Sequence, residues 1–131
     1  MADDVRVVDT GLLLLTNVLT GTSAMIPKYI RWGTSTEATS DGDTGLTAMS
    51  TKENAVTGTL ASTDTSSTGD TYKVTGTVVA ATSHTIGEVG LFCGSATDST
   101  MFLRGVFDTI AVNEGDSIAF TINTVFAQST S

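Results

Sequence analysis

The sequence predicts a single all-β domain, an antiparallel sandwich or barrel, and three observations carry that expectation. Side chains alternate in character over long stretches of the second half. Tyr72, Val74, Gly76, Val78 and Ala80 interleave with Lys73, Thr75, Thr77, Val79 and Ala81, and Ile118, Phe120, Ile122 and Phe126 repeat the pattern. Period two is the signature of a strand with one buried face. Turn signals then recur at roughly 8–12-residue spacing, as sandwiches and barrels require. They include Gly69-Asp70 and Asn113-Glu114-Gly115-Asp116. Finally, charged residues are only 15% of the chain against 40% hydrophobic, and Thr and Ser supply the polar surface. Threonine is β-branched and suits a solvent-facing pleat.

A chain of 131 residues is one domain. At this size a chain buries roughly two-thirds of its unfolded surface, so no metal or disulfide staple is needed. The single cysteine, Cys93, excludes an intrachain disulfide in any case. The expected division is an N-terminal arm over residues 1–9 and one β-sandwich domain over 10–131.

Taken in order, Val5-Arg6-Val7-Val8 reads as a short strand. Thr10 then N-caps a helix through Leu19, with Gly21 to end it. The segment is apolar on most sides, which fits a buried helix or a buried strand, and the short helix is preferred. Pro27 introduces a strand, Lys28 to Trp32. Residues 33–54 are rich in Thr, Ser, Gly and Asp, with Leu46 and Met49 as lone apolar anchors, and read as a long surface loop. Strands follow at Ala55–Ser62, Tyr72–Ala81, Ile86–Phe92 and Met101–Phe107. Ile110-Ala111-Val112 leads into the last turn and the last strand.

Two charges interrupt these strands. Glu88 falls on the alternating face of Ile86 and Phe92, and Arg104 sits between Phe102 and Val106. In a hairpin of these two strands they could meet, since a buried charge is tolerated only when paired. The competing reading points both to solvent.

The net charge of −8 and isoelectric point near 4.2 argue against nucleic acid and anionic membranes, which recruit Lys and Arg. The acidic N-terminus is unlike a signal peptide, and Leu12–Leu15 is too short to span a bilayer. Synthesis in a cytoplasm follows. No catalytic set is visible. His84, the single histidine, reads as a solvated turn residue, and Cys93 as a small buried hydrophobe. Asp41-Gly42-Asp43 offers hard oxygens to calcium but lacks the rest of an EF-hand, so an acidic turn is preferred. No metal or cofactor is expected. Trp32, Tyr29 and Tyr72 suit either a sugar-stacking platform or core packing and edge filling, and the latter is preferred.

The order of segments resembles a loose group of small virion proteins and tail-fibre domains of tailed phages. The matching motifs are Thr10-Gly11-Leu12-Leu13-Leu14-Leu15, Tyr29-Ile30-Arg31-Trp32-Gly33-Thr34, Asp43-Thr44-Gly45-Leu46, Glu88-Val89-Gly90-Leu91-Phe92, and the hairpin from Val112 to Ile118. They span about residues 10–126. Ser35 departs from the group, which often has a second glycine there. The resemblance implies an antiparallel jelly-roll-like β-sandwich with one short N-terminal helix, assembling in multiples on a particle. It further implies a non-enzymatic capsid decoration (cement) protein, a trimer by expectation, bound to the major capsid protein. A tail or baseplate fibre component is the alternative. Trp32, Gly33, Asp41, Asp43, Glu88 and Arg104 are the structural or contact candidates. The arm of residues 1–9 and the loop of 33–54 are the expected contact elements, ordering on docking.

Overall fold

Alternating runs become strands here, and glycines and short acidic turns separate them. The computed structural model describes residues 4–22 and 25–127. The elements are β1 (Asp4–Val7), α1 (Asp9–Leu19), β2 (Tyr29–Gly33), β3 (Val56–Thr57), β4 (Thr59–Thr63), β5 (Thr71–Val79), β6 (His84–Phe92), β7 (Met101–Val112) and β8 (Ser117–Val125). All pairings are antiparallel. Five strands form one sheet in the order β1-β7-β6-β2-β3, and three form the other in the order β4-β5-β8. Their facing sides share one core, with Ile30, Trp32 and Leu91 from the first sheet and Val74, Val78 and Ile122 from the second. The protein is therefore all-β with one short helix.

The chain passes between sheets at three corners. Gly58 separates β3 from β4, splitting the single strand expected over Ala55–Ser62. A Cβ there would run into Val74, so only glycine lets the chain bend this closely over β5. The other two corners, β5 to β6 and β7 to β8, are tied together. Ala80 N–H donates to Asp116 O at 2.7 Å, and Gly115 N–H to Ala80 O at 2.8 Å. Gly115 sits at φ +90°, the left-handed region that glycine enters at little cost.

The N-terminus differs from the expected arm. Residues 1–3 of that arm, like 128–131 of the expected domain, lie outside the described residues. From Asp4 onward the chain is a strand, β1, paired with Leu103–Val106 of β7. Val8, fully buried, closes it against Phe92 and Met101. Val8, not Thr10, occupies the helix N-cap, without a side-chain bond. Thr10 instead donates to Met101 O at 2.8 Å, fastening α1 to β7. The helix ends in a Schellman motif, with Thr22 N–H on Asn17 O, Gly21 N–H on Val18 O, and Gly21 at φ +76°.

The β6–β7 register is irregular at two places, between Ile86 and Glu88 and between Leu91 and Phe92, and the first relocates Glu88. A β-bulge lies between Ile86 and Glu88. Ile86 therefore joins the inter-sheet core, while Phe92, which shares the face of Glu88, belongs to a separate cluster with Val8 and Met101. Glu88 and Ile86 do not share a face as simple alternation suggests.

The closest approach of α1 to the sheet is at Gly11, where a Cβ would collide with the Phe102 carbonyl. Gly11→Ala is expected to lower stability by about 1–3 kcal/mol through overpacking. Gly42→Ala, which meets open space, should change it by less than about 0.5 kcal/mol. Urea unfolding followed by Trp32 fluorescence measures both.

Candidate functional site

Residues 34–55 cross the outer face of the five-stranded sheet, and a buried ion pair holds them there. Glu88 and Arg104 are both fully buried. They sit diagonally across the β6–β7 ladder, where Gly90 faces Arg104 and Glu88 faces Val106. Arg104 Nε donates to Glu88 Oε1 at 3.0 Å. The remaining capacity of both groups goes to the loop. Glu88 accepts from the backbone N–H of Ser35, Thr47 and Ala48 at 3.3, 3.0 and 2.7 Å. Arg104 donates to Glu37 O at 2.9 Å and Ala38 O at 3.3 Å, and to Asp43 Oδ2 at 3.2 Å. Buried charges persist when paired and fully hydrogen-bonded in this way. The small residues beside them are required. A Cβ on Gly33 would enter the Glu88 carboxylate, and one on Gly87 would lie 2.8 Å from Ser35 O.

The first strand fastens the same loop from its other side. Asp4 accepts from Thr39 N and Oγ1 at 2.8 and 2.7 Å, and the Thr39 hydroxyl, with its N–H, holds the Asp4 carboxyl below its ordinary range. Arg6 pairs with Asp41 at 2.7 Å, and Asp9 N–H donates to Asp41 O at 2.8 Å. Leu46 and Met49 pack on the cluster of Val8, Phe92 and Met101. The loop expected to be irregular until docking is thus bound at both ends and in its middle.

A second polar cluster closes the far end of the loop. Glu53 accepts from the Trp32 indole N–H and the Ser50 hydroxyl, each at 2.7 Å, and from Ala81 N–H at 2.8 Å. His84 Nε2 lies 3.4 Å from its other oxygen. Burial pushes the Glu53 carboxyl up, but these donors and the His84 ring outweigh it and leave it below the usual glutamate range. His84 is therefore not a solvated turn residue: it starts β6 and stacks edge-on against Trp32 at 5.7 Å between ring centroids.

The candidates singled out in the sequence separate cleanly. Trp32 is 1% exposed and packs in the inter-sheet core, so it offers no stacking platform; Gly33 is buried beside it. Glu88 and Arg104 meet as a pair. Asp43 joins Arg104, and exposed Asp41 joins Arg6, so guanidinium groups already occupy the carboxylates considered for calcium. Among the described residues no group of three or more His, Cys, Asp and Glu side chains is placed to hold a metal ion. Cys93 is buried.

The surface feature that sequence reasoning missed is on α1. Its Gly11–Leu14 side packs on the sheet, and Leu12, Leu13 and Leu19 are 54%, 61% and 79% exposed. Met25, Ile26 and Phe126 are also about half exposed. Between helix and sandwich lies a groove of about 230 Å³, lined wholly by carbon-rich residues including Leu15, Val18, Ile26, Tyr72 and Phe126. Leucines on most sides of a segment suggested burial; only one side of the helix has anything to pack against. What the arrangement offers chemically is an apolar surface for another apolar surface to cover.

Breaking the buried pair from one side, with Glu88→Gln or Arg104→Met, is expected to cost about 3–5 kcal/mol each. The double variant should cost clearly less than the sum, and a denaturant double-mutant cycle measures that coupling. Depressed carboxyls at Asp4, Glu53 and Asp70 stabilise the fold above their unfolded values. That stability is lost as pH falls through the folded ones. The unfolding midpoint should therefore drop below about pH 4, and Glu53→Gln should flatten part of the slope in an acid titration read by Trp32 fluorescence.

No protein-family model, no curated protein and no solved structure matches the chain, so its function has to be argued from this geometry.

Proposed function

We propose that this chain is a non-enzymatic structural protein of a tailed-virus particle, and that it acts by docking on other proteins. Its role in this reading is that of a decoration (cement) protein on the shell of the major capsid protein. One observation carries the docking part: three leucines of α1 are more than half exposed, and Ile26 and Phe126, which line the apolar groove between the helix and the sandwich, are exposed too. Covering a fully exposed leucine gains roughly 1.5–3 kcal/mol, and exposed apolar surface marks contact sites on soluble proteins when it gathers into a patch. The virion part rests on the ordered motifs from Thr10 to Ile118. The finer jelly-roll reading belongs with it. Eight strands in two sheets with three inter-sheet corners support that architecture, and the division into five and three departs from it.

In this mechanism the sandwich is a rigid body, and α1 is the contact element in place of the arm and loop expected from sequence. Each copy bridges neighbouring shell subunits, as one of three by expectation, and repetition multiplies a modest interface. The acidic surface keeps free copies apart until the apolar face is covered.

Quantitative mass spectrometry of purified particles tests the reading. A decoration protein should be present in on the order of hundreds of copies, following shell symmetry. A handful of copies would move the chain to the tail, and absence from particles would overturn the reading. Leu13→Glu with Leu19→Glu, both on exposed positions, should leave folding intact and reduce particle occupancy at least about tenfold, equivalent to 1.4 kcal/mol.

A further inference from the structure

The two sheets leave one flank of the sandwich open. The five-stranded sheet ends in β7 and β1, whereas the three-stranded sheet ends in β8. Between them is a cleft of about 640 Å³. Its floor is the inner face of the wider sheet. Gly105 is buried in that floor, and a Cβ on it would touch Val5 and Val89 at 3.3 and 3.5 Å. Those contacts put Val5 on the same inner face as the core residue Val89. Yet Val5 is 56% exposed, and Ile110, further along the floor, is 42% exposed. Residues on the inner face of a sandwich are normally covered by the opposite sheet. Here the opposite sheet stops too soon.

The wall of the cleft is β8, lined by Phe120, Thr121, Ile122 and Asn123. Among the described strands β8 pairs with β5 alone. Edge strands are normally protected by charges, proline or bulges. Ser117–Val125 contains no charged residue and no proline, and its register with β5 runs without interruption from Val79 opposite Ser117 to Thr71 opposite Val125. An unprotected edge of nine residues, about 30 Å at roughly 3.3 Å per residue, thus borders an uncovered apolar floor.

We infer that this flank is a strand-acceptor cleft, in which an extended segment of another protein adds to β8 and lays alternate apolar side chains on Val5, Phe107 and Ile110. Backbone hydrogen bonds to β8 would supply affinity, and the floor would select side chains. Charge selects the guest. Asp108 is the one charged residue lining the cleft, no ion pair among the described residues uses it, and Glu114 and Asp116 lie in the adjoining turn. The guest therefore carries lysine or arginine near Asp108. A second copy of this chain, with its net charge of −8, is disfavoured as donor. The inference stands on the β7–β8 flank and is independent of the α1 surface.

The test is selection of a random nonapeptide display library on the purified full chain. The expected winners alternate apolar residues, carry at least one lysine or arginine, and protect the amides of β8 from hydrogen exchange when bound. Asp108→Lys and Val5→Glu, both at exposed positions, should each weaken a selected peptide at least tenfold. Failure to enrich any peptide overturns the inference. So does enrichment without alternation, or protection of α1 in place of β8. Dimerisation of the chain through β8, seen by sedimentation and abolished by Val5→Glu, would also overturn it by making a second copy the guest.

Discussion

Two opposite charges taken fully out of water cost more than their attraction returns unless every donor and acceptor is used. Glu88 and Arg104 meet that condition by recruiting a loop. The carboxylate accepts three backbone N–H groups and the guanidinium donates to two carbonyls and a carboxylate, all from residues 35–48. The dependence runs in both directions. Without the loop the pair would be exposed on the outer face of the sheet; without the pair a polar segment would have little to pack with beyond Leu46 and Met49. The glycines follow from the same constraint, since side chains at positions 33 and 87 would occupy the space the pair and the loop share.

This arrangement decides which parts of the molecule are rigid. The outer face of β6 and β7 is covered by a loop pinned through Glu88, Arg104, Asp4 and Glu53, and the inner face by the narrower sheet. β6 is buried on both sides as a result, from Ile86 to Phe92. The cover runs out in two places. One is the outward side of α1, which touches the sheet through Gly11 and Leu14 and carries leucines elsewhere. The other is the flank beyond β8. Apolar side chains stand in water at both.

The strands were legible because period two survives in β5 and β8, whose outward positions are mostly polar, with Lys73, Thr75, Thr77, Ser117, Thr121 and Asn123 among them. The meeting of Glu88 and Arg104 was legible too, because two isolated charges in apolar strands have few affordable arrangements. Less was visible where one residue changes parity or partner. The irregularity between Ile86 and Glu88, where Gly87 opposes three residues of β7, leaves no mark in composition, so Glu88 was placed on the face of Ile86. His84 sits among Thr and Ser, and nothing local announces that Glu53 and Trp32, more than thirty residues away, will enclose it. Asp4–Val7 reads equally well as a free arm or as a strand until β7 presents an edge at the right register. The expectation that a leucine run is buried failed for a similar reason: burial belongs to the neighbours available, not to the segment.

The acidic composition and the uncovered leucines are best understood together. Exposed apolar surface drives indiscriminate association, and a net charge of −8 opposes it between identical copies. Repulsion of this kind reaches only about 8 Å at physiological ionic strength. It therefore slows encounters of like surfaces without preventing a fitted partner from closing on the apolar face. Six cations against fourteen acids would be an odd balance if the fold needed them only for solubility. Two of the six, Arg6 and Arg104, are already committed to the loop. Arg31 is committed as well, since it is buried and donates to Glu53 O and Ser95 O. The surplus of acid is thus left on the surface, where it disfavours self-pairing and favours partners that bring positive charge to an apolar contact.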